Sequence, residues 1–137
     1  MTRLPNDPGP LAAFLSRPHP EVRAQVIELL RRPAFQAPLE VSRPEHRRRV
    51  LEALKILADE GIGLLGYPES VGGGDAPGAA IAAFETLGFG DTAVLVKYGV
   101  QFGLWGGSVY QLGTRPHHER WLHAIGTLEL PGCYAMT

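Results

Sequence analysis

The chain has a single cysteine, Cys133. That excludes an internal disulfide framework and a cysteine-built zinc site, and it suits a reducing compartment. Lysine is almost as scarce, occurring only at Lys55 and Lys97 while arginine supplies the other basic residues; this bias is that of a GC-rich bacterial source. There is no excess of either charge. The formal net charge is −1, which leaves no electrostatic footprint for nucleic acid or an anionic membrane. The one basic run, Arg47–Arg49, reads as the solvated face of a helix. A long uninterrupted apolar run is also missing. The stretch Ala93 to Leu112 has the length of a membrane span, but it carries Lys97, Gln101 and a glycine cluster, so it reads as a core helix. Residues Met1 to Leu15 hold three prolines and no apolar block, unlike a signal peptide. Tyr134-Ala135-Met136-Thr137 is not a peroxisomal tripeptide.

What is present is an ordinary globular balance: 137 residues, 45% hydrophobic and 20% charged, enough for one domain with a core. The pattern is helical almost throughout. Up to Pro18 the chain is proline-rich, with at most a short helical turn. Pro20 opens a helix on which Val22, Val26, Leu29 and Leu30 share a face, and Pro33 ends it. Ser42-Arg43-Pro44-Glu45 has capping-box spacing ahead of a helix over Arg43 to Glu60, with Val50, Leu51, Leu54 and Leu57 as its stripe and Gly61 as its stop. Asp75 is placed to cap a helix with Pro77 in its first turn and Gly88 at its end. Asp91 caps the next, which Gly106 and Gly107 interrupt before Ser108 to Leu112 resumes. Thr114 caps a last helix, with Pro116 in its first turn, Trp121, Leu122 and Ile125 inside and Gly126 as stop. After Pro131-Gly132 the residues Cys133 to Thr137 read as the start of a strand. A lone strand is unstable, so the expectation is that further polypeptide, in this chain or another, supplies its sheet.

Most local motifs give no chemistry. Gly61-Ile62-Gly63-Leu64-Leu65-Gly66 matches a dinucleotide fingerprint as a string, but a helix precedes it and a proline loop follows, where that fingerprint needs a strand and then a helix. Gly72-Gly73-Gly74 lacks the Lys-Ser/Thr of a phosphate loop and reads as a turn. His117 and His118 are neighbours and point about 100° apart on a helix, a poor metal pair. No nucleophile elbow accompanies Ser108, and Cys133 reads as a small buried apolar residue.

Taken in order, Phe102-Gly103-Leu104-Trp105-Gly106-Gly107-Ser108-Val109-Tyr110-Gln111-Leu112-Gly113-Thr114, His117-His118-Glu119-Arg120-Trp121-Leu122 and Leu128-Glu129-Leu130-Pro131-Gly132-Cys133-Tyr134-Ala135-Met136-Thr137 resemble acyl-CoA oxidases of the acyl-CoA dehydrogenase superfamily. The likeness covers about Tyr98 to Thr137. It is looser at Leu65-Gly66-Tyr67-Pro68-Glu69 and weak before about residue 40. It implies an all-α N-terminal helical bundle that ends at a truncated first β-strand. The divisions are 1–40, a proline-rich segment with one helix; 41–131, the helical domain; and 132–137, the start of a middle β domain. The resemblance implies FAD, held only in a complete assembly, with Tyr134, Met136 and Thr137 beside the flavin, Thr137 through its hydroxyl or backbone. It implies oxidation of fatty acyl-CoA to trans-2-enoyl-CoA with hydrogen peroxide formed; dehydrogenase chemistry or a non-catalytic helical docking module is the alternative. Tyr98, Gln101, Phe102 and Trp105 are candidates for the acyl pocket, with core packing as the equal alternative. The family's catalytic glutamate belongs to a C-terminal helical part, and no glutamate here sits in its motif, so no catalytic residue and no autonomous activity are expected. The implied partners are fatty acyl-CoA and the remaining domains of the oxidase, in an oligomer. The compartment is the bacterial cytoplasm, or the peroxisome in a eukaryote.

Overall fold

A computed structural model describes residues 9–36 and 40–135. Among them the secondary structure is helical, with no strand, as the all-α reading requires. Helices α1 (Gly9–Leu15), α2 (Pro20–Leu30) and α3 (Arg43–Asp59) come first. After two short 3-10 turns, Ile62–Leu64 and Glu69–Val71, α4 spans Pro77–Leu87. A central helix follows in three parts: α5 (Thr92–Tyr98), a π-helical segment (Gly99–Trp105) and α6 (Gly106–Leu112). The last unit is α7 (Arg115–His117), a second π segment (His118–Leu122) and α8 (His123–Gly126). None of the described helices is long and apolar enough to cross a membrane.

Local chemistry sets most of the boundaries. The Ser42 hydroxyl accepts the Glu45 amide at 3.4 Å, and Asp91 accepts the Ala93 amide at 2.8 Å. Thr114 forms a capping box with His117. Gly61 ends α3 with φ +78, a left-handed conformation that costs glycine little. Three expectations change. The Glu45 carboxylate does not return to its own cap; it is drawn to Arg48 and Arg49 instead. Asp75 does not cap α4. Its amide donates to the Tyr67 carbonyl and that of Ala76 to the Leu65 carbonyl, so the loop is tied down one residue late and Ala76 takes the cap position. Gly126 is the last residue of α8 rather than its stop, and the left-handed turn falls at Leu128, φ 62.

Two apolar clusters meet at the central helix. The larger joins Val26 and Leu29 of α2, Leu54 and Leu57 of α3, Ala83 and Leu87 of α4, and Tyr98 and Phe102. The smaller joins Tyr67, Val71, Val109, Leu122 and Ile125. Leu51, read as part of the α3 stripe, is exposed: it follows Val50 by one residue and so points about 100° away. Gly106 and Gly107 do not interrupt the central helix. It widens into the π segment and continues, and at Gly106 the Tyr67 hydroxyl lies where a Cβ would stand. Cys133, expected to be buried, is exposed, and Cys133 to Ala135 have no regular structure. No second strand lies beside them among the described residues to pair with or cover them. Met136 and Thr137 lie outside the described residues.

Candidate functional site

An open apolar groove of about 680 Å³ runs between α4 and the central helix. Ile81 and Phe84 form one wall; Val96, Gly99, Val100, Gly103 and Leu104 form the other, and Tyr98 and Phe102 lie at its floor. The groove is apolar yet open to solvent: Ile81 is 62% exposed and Val96 54%. Such contiguous apolar surface marks a binding or docking site. The glycines shape it. A Cβ at Gly103 would meet nothing, while one at Gly99 would sit 3.0 Å from the Phe84 ring.

The floor is built for rigidity. Tyr98 stands edge-on to Phe102 with ring centroids 5.1 Å apart, and its hydroxyl donates to the Ile62 carbonyl at 3.3 Å. Tyr67, also in the lining, donates to the Phe102 carbonyl at 2.8 Å. Burial pushes both hydroxyls above the usual tyrosine range, so they stay neutral donors. No carboxylate, imidazole or amine is in the lining among the described residues. The groove can hold an apolar chain by dispersion and desolvation, and it offers no group to move a proton.

The four sequence candidates therefore separate. Tyr98 and Phe102 lie under the groove. Gln101 faces the other way, toward a smaller cavity of about 260 Å³ whose rim includes His46, Arg47 and Lys97. There its amide nitrogen donates to the carbonyls of Ile125 at 3.1 Å and Leu130 at 3.0 Å, and its oxygen accepts the Gly132 amide at 2.9 Å. Trp105 lays its ring over Gly132, where any Cβ would overlap the indole; its ring N–H is buried with no acceptor among the described residues. Tyr134 is exposed. The wall positions missed from the sequence are Ile81, Phe84, Val96, Gly99, Val100, Gly103 and Leu104. One signal was available for the five on the central helix: despite Lys97 and Gln101, that helix carries more apolar residues than a single core-facing stripe holds, so an apolar face lies away from the domain's own core.

The family model for the acyl-CoA dehydrogenase N-terminal domain matches residues 17–129. Among curated proteins, the peroxisomal acyl-coenzyme A oxidase 2 of Arabidopsis thaliana is 31% identical over 129 residues, 93% of this chain and 18% of that protein. The peroxisomal acyl-coenzyme A oxidase 3 of the same plant is 44% identical over 57 residues, 42% of this chain and 8% of its own length. The chain thus spans less than a fifth of each of these relatives. No solved structure matches it significantly. A helical unit matched over most of its length, with an apolar groove on its central helix and relatives of one kind, belongs to the acyl-CoA dehydrogenase N-terminal domain family.

Proposed function

We propose that the chain is the N-terminal helical part of an FAD-dependent acyl-CoA oxidase, and that the groove between α4 and the central helix is one wall of the site for the fatty acyl chain. The observation that carries this reading is the groove itself: apolar, open, and lined without a titratable carboxylate, imidazole or amine. Each methylene it takes from water contributes about 0.8 kcal/mol, which suits a hydrocarbon and gives nothing to a polar ligand. The relatives, both named acyl-coenzyme A oxidases, supply the rest of the reading.

In this view residues 41–131 are the helical domain, preceded by the proline-rich segment 1–40, and residues 132–137 begin the middle β domain. The described part of that tail suits contact with a flavin domain. Gly132 is fixed from within by Gln101, while Cys133, Tyr134 and Ala135 are exposed for the remainder of the enzyme to cover. Tyr134, Met136 and Thr137 would then hold the flavin. When bound, FAD supplies the two-electron acceptor that converts acyl-CoA to the 2-enoyl product. This chain's share is to bind and align the acyl chain, because its groove holds no base. The compartment follows the source: the peroxisome, as in the names of the plant relatives, or the cytoplasm of a bacterium.

The test is purification of the chain from its native source under gentle conditions, with a visible absorbance scan and mass identification of whatever accompanies it. Flavin absorbance together with a β-domain polypeptide, fused or separate, supports the reading. A complex holding neither overturns it.

A further inference from the structure

We infer that Gln101 is a positioning residue: through three bonds to the backbone of residues 125–132 it fixes where the tail 133–137 leaves the helical domain. The flavin part of this inference rests on the function proposed above; the geometry does not.

Gln101 is 3% exposed and, with Thr86, one of two buried polar side chains among the described residues. Thr86 donates back within its own helix, to the Ala82 carbonyl at 2.7 Å, and accepts one long bond from Arg23 of α2 at 3.4 Å. Gln101 does nothing for its own helix. Both of its donor hydrogens and its oxygen go to one distant stretch: the Ile125 carbonyl that closes α8, the Leu130 carbonyl beyond the left-handed turn at Leu128, and the Gly132 amide at the root of the tail. An amide group is the one uncharged side chain able to donate twice and accept at once. The Leu130 amide is already committed to the Ala124 carbonyl at 2.9 Å, so the stretch is pinned on both sides. Trp105, four residues further along the central helix, closes over Gly132 from above. The same π segment that presents Phe102 to the groove thus presents Gln101 and Trp105 to the tail. Groove wall and tail root share one rigid element, which is what alignment of an acyl chain with a flavin demands.

The experiment compares the chain with Gln101→Met, which keeps length and removes every bond, and with Val26→Ala, a core change in α2 that alters none of those bonds. Amide exchange at Gly132 is followed in each, alongside the melting temperature. Loss of the acceptor speeds Gly132 exchange by about tenfold or more in Gln101→Met, and Val26→Ala leaves it near the parent value even though it lowers the melting temperature. Equal exchange in parent and Gln101→Met overturns the inference, as does equal acceleration in both variants, which would report general loosening. In the complete enzyme purified with its flavin, Gln101→Met shifts the visible flavin spectrum and lowers kcat with KM for acyl-CoA little changed; an unmoved spectrum and kcat overturn the link to the flavin. If the native complex holds no flavin, the proposed function falls, and the Gly132 exchange result still decides whether Gln101 positions the tail.

Discussion

The hydroxyl of Tyr67 donates to the carbonyl oxygen of Phe102 at 2.8 Å, and this bond goes with the widening of the central helix. In a regular α-helix the Gly106 amide would bond Phe102; here it reaches back to the Gln101 carbonyl. The Phe102 carbonyl takes the phenol instead. The phenol can enter because residue 106 has no side chain: a Cβ there would overlap the Tyr67 hydroxyl.

A reversed sign follows for Gly106→Ala. Alanine in a helix interior normally stabilises by about 1 kcal/mol relative to glycine. Here it is expected to destabilise, because it displaces Tyr67. Tyr67→Phe alone is expected to cost about 1–3 kcal/mol by leaving a buried carbonyl unpaired. The double variant should be less destabilised than the sum, since both changes break one contact. Urea midpoints of the four proteins check this; a stabilised Gly106→Ala would refute it.

Acid weakens the start of α3. Hydrogen bonds from Arg48, then Arg49, hold the Glu45 carboxyl down from 4.5 to about 2. A folded value below the unfolded one means the contribution is present above about pH 4.5 and is lost as pH falls through about 2. The expected outcome is a Glu45 carboxyl resonance that titrates near the lower value, and a loss of helix over that window that Glu45→Gln no longer shows. Raising the salt should shrink the effect, since the cluster lies at the surface.

Cys133 is an internal reporter of the tail. It is exposed and is the sole cysteine in the sequence, so a thiol reagent should modify the isolated chain fully without denaturant. In a complex that covers the tail, labelling should slow by roughly tenfold or more. Equal rates in the free chain and in the native complex would mean that the tail is not the docking edge.

How much of this was legible depends on the distance over which each feature is decided. Helix starts at Ser42, Asp91 and Thr114 were readable because a cap acts on amides two or three residues away, and the start at Pro20 because proline's fixed φ suits the first helical position. Asp75 misled, because the carbonyls that tie its loop belong to Leu65 and Tyr67. The π segment was not readable, since the hydroxyl that accompanies it comes from Tyr67, 35 residues away. Of the four candidates on the central helix, Tyr98 and Phe102 border the groove and Gln101 and Trp105 do not. Ile81 and Phe84 were missed because only packing shows that α4 supplies the facing wall. The role of Gln101 had no local signature, because its partners are backbone groups that any residue carries. Residue type alone makes Cys133 a buried side chain, and it says nothing of whether a neighbour exists to cover it.

Gly103 offers the sharpest test of the groove. A Cβ there meets no atom within 4 Å, so a larger side chain can be added without forcing the core apart. Gly103→Leu should therefore leave the chain at least as stable, helped by helix propensity of about 1 kcal/mol, while its isobutyl group fills space lined by Leu104 and Phe84. If that space holds hydrocarbon, the complete enzyme carrying Gly103→Leu should lose efficiency on long acyl-CoA substrates by about tenfold or more. Short ones, which do not reach the blocked region, should react nearly as before. The measurement is kcat/KM across a series of chain lengths, with peroxide formation as the readout. A uniform fall across the series would point to a damaged active site rather than a shortened groove. An unchanged series would show that the acyl chain runs elsewhere, and the groove would then be a surface covered by the rest of the enzyme.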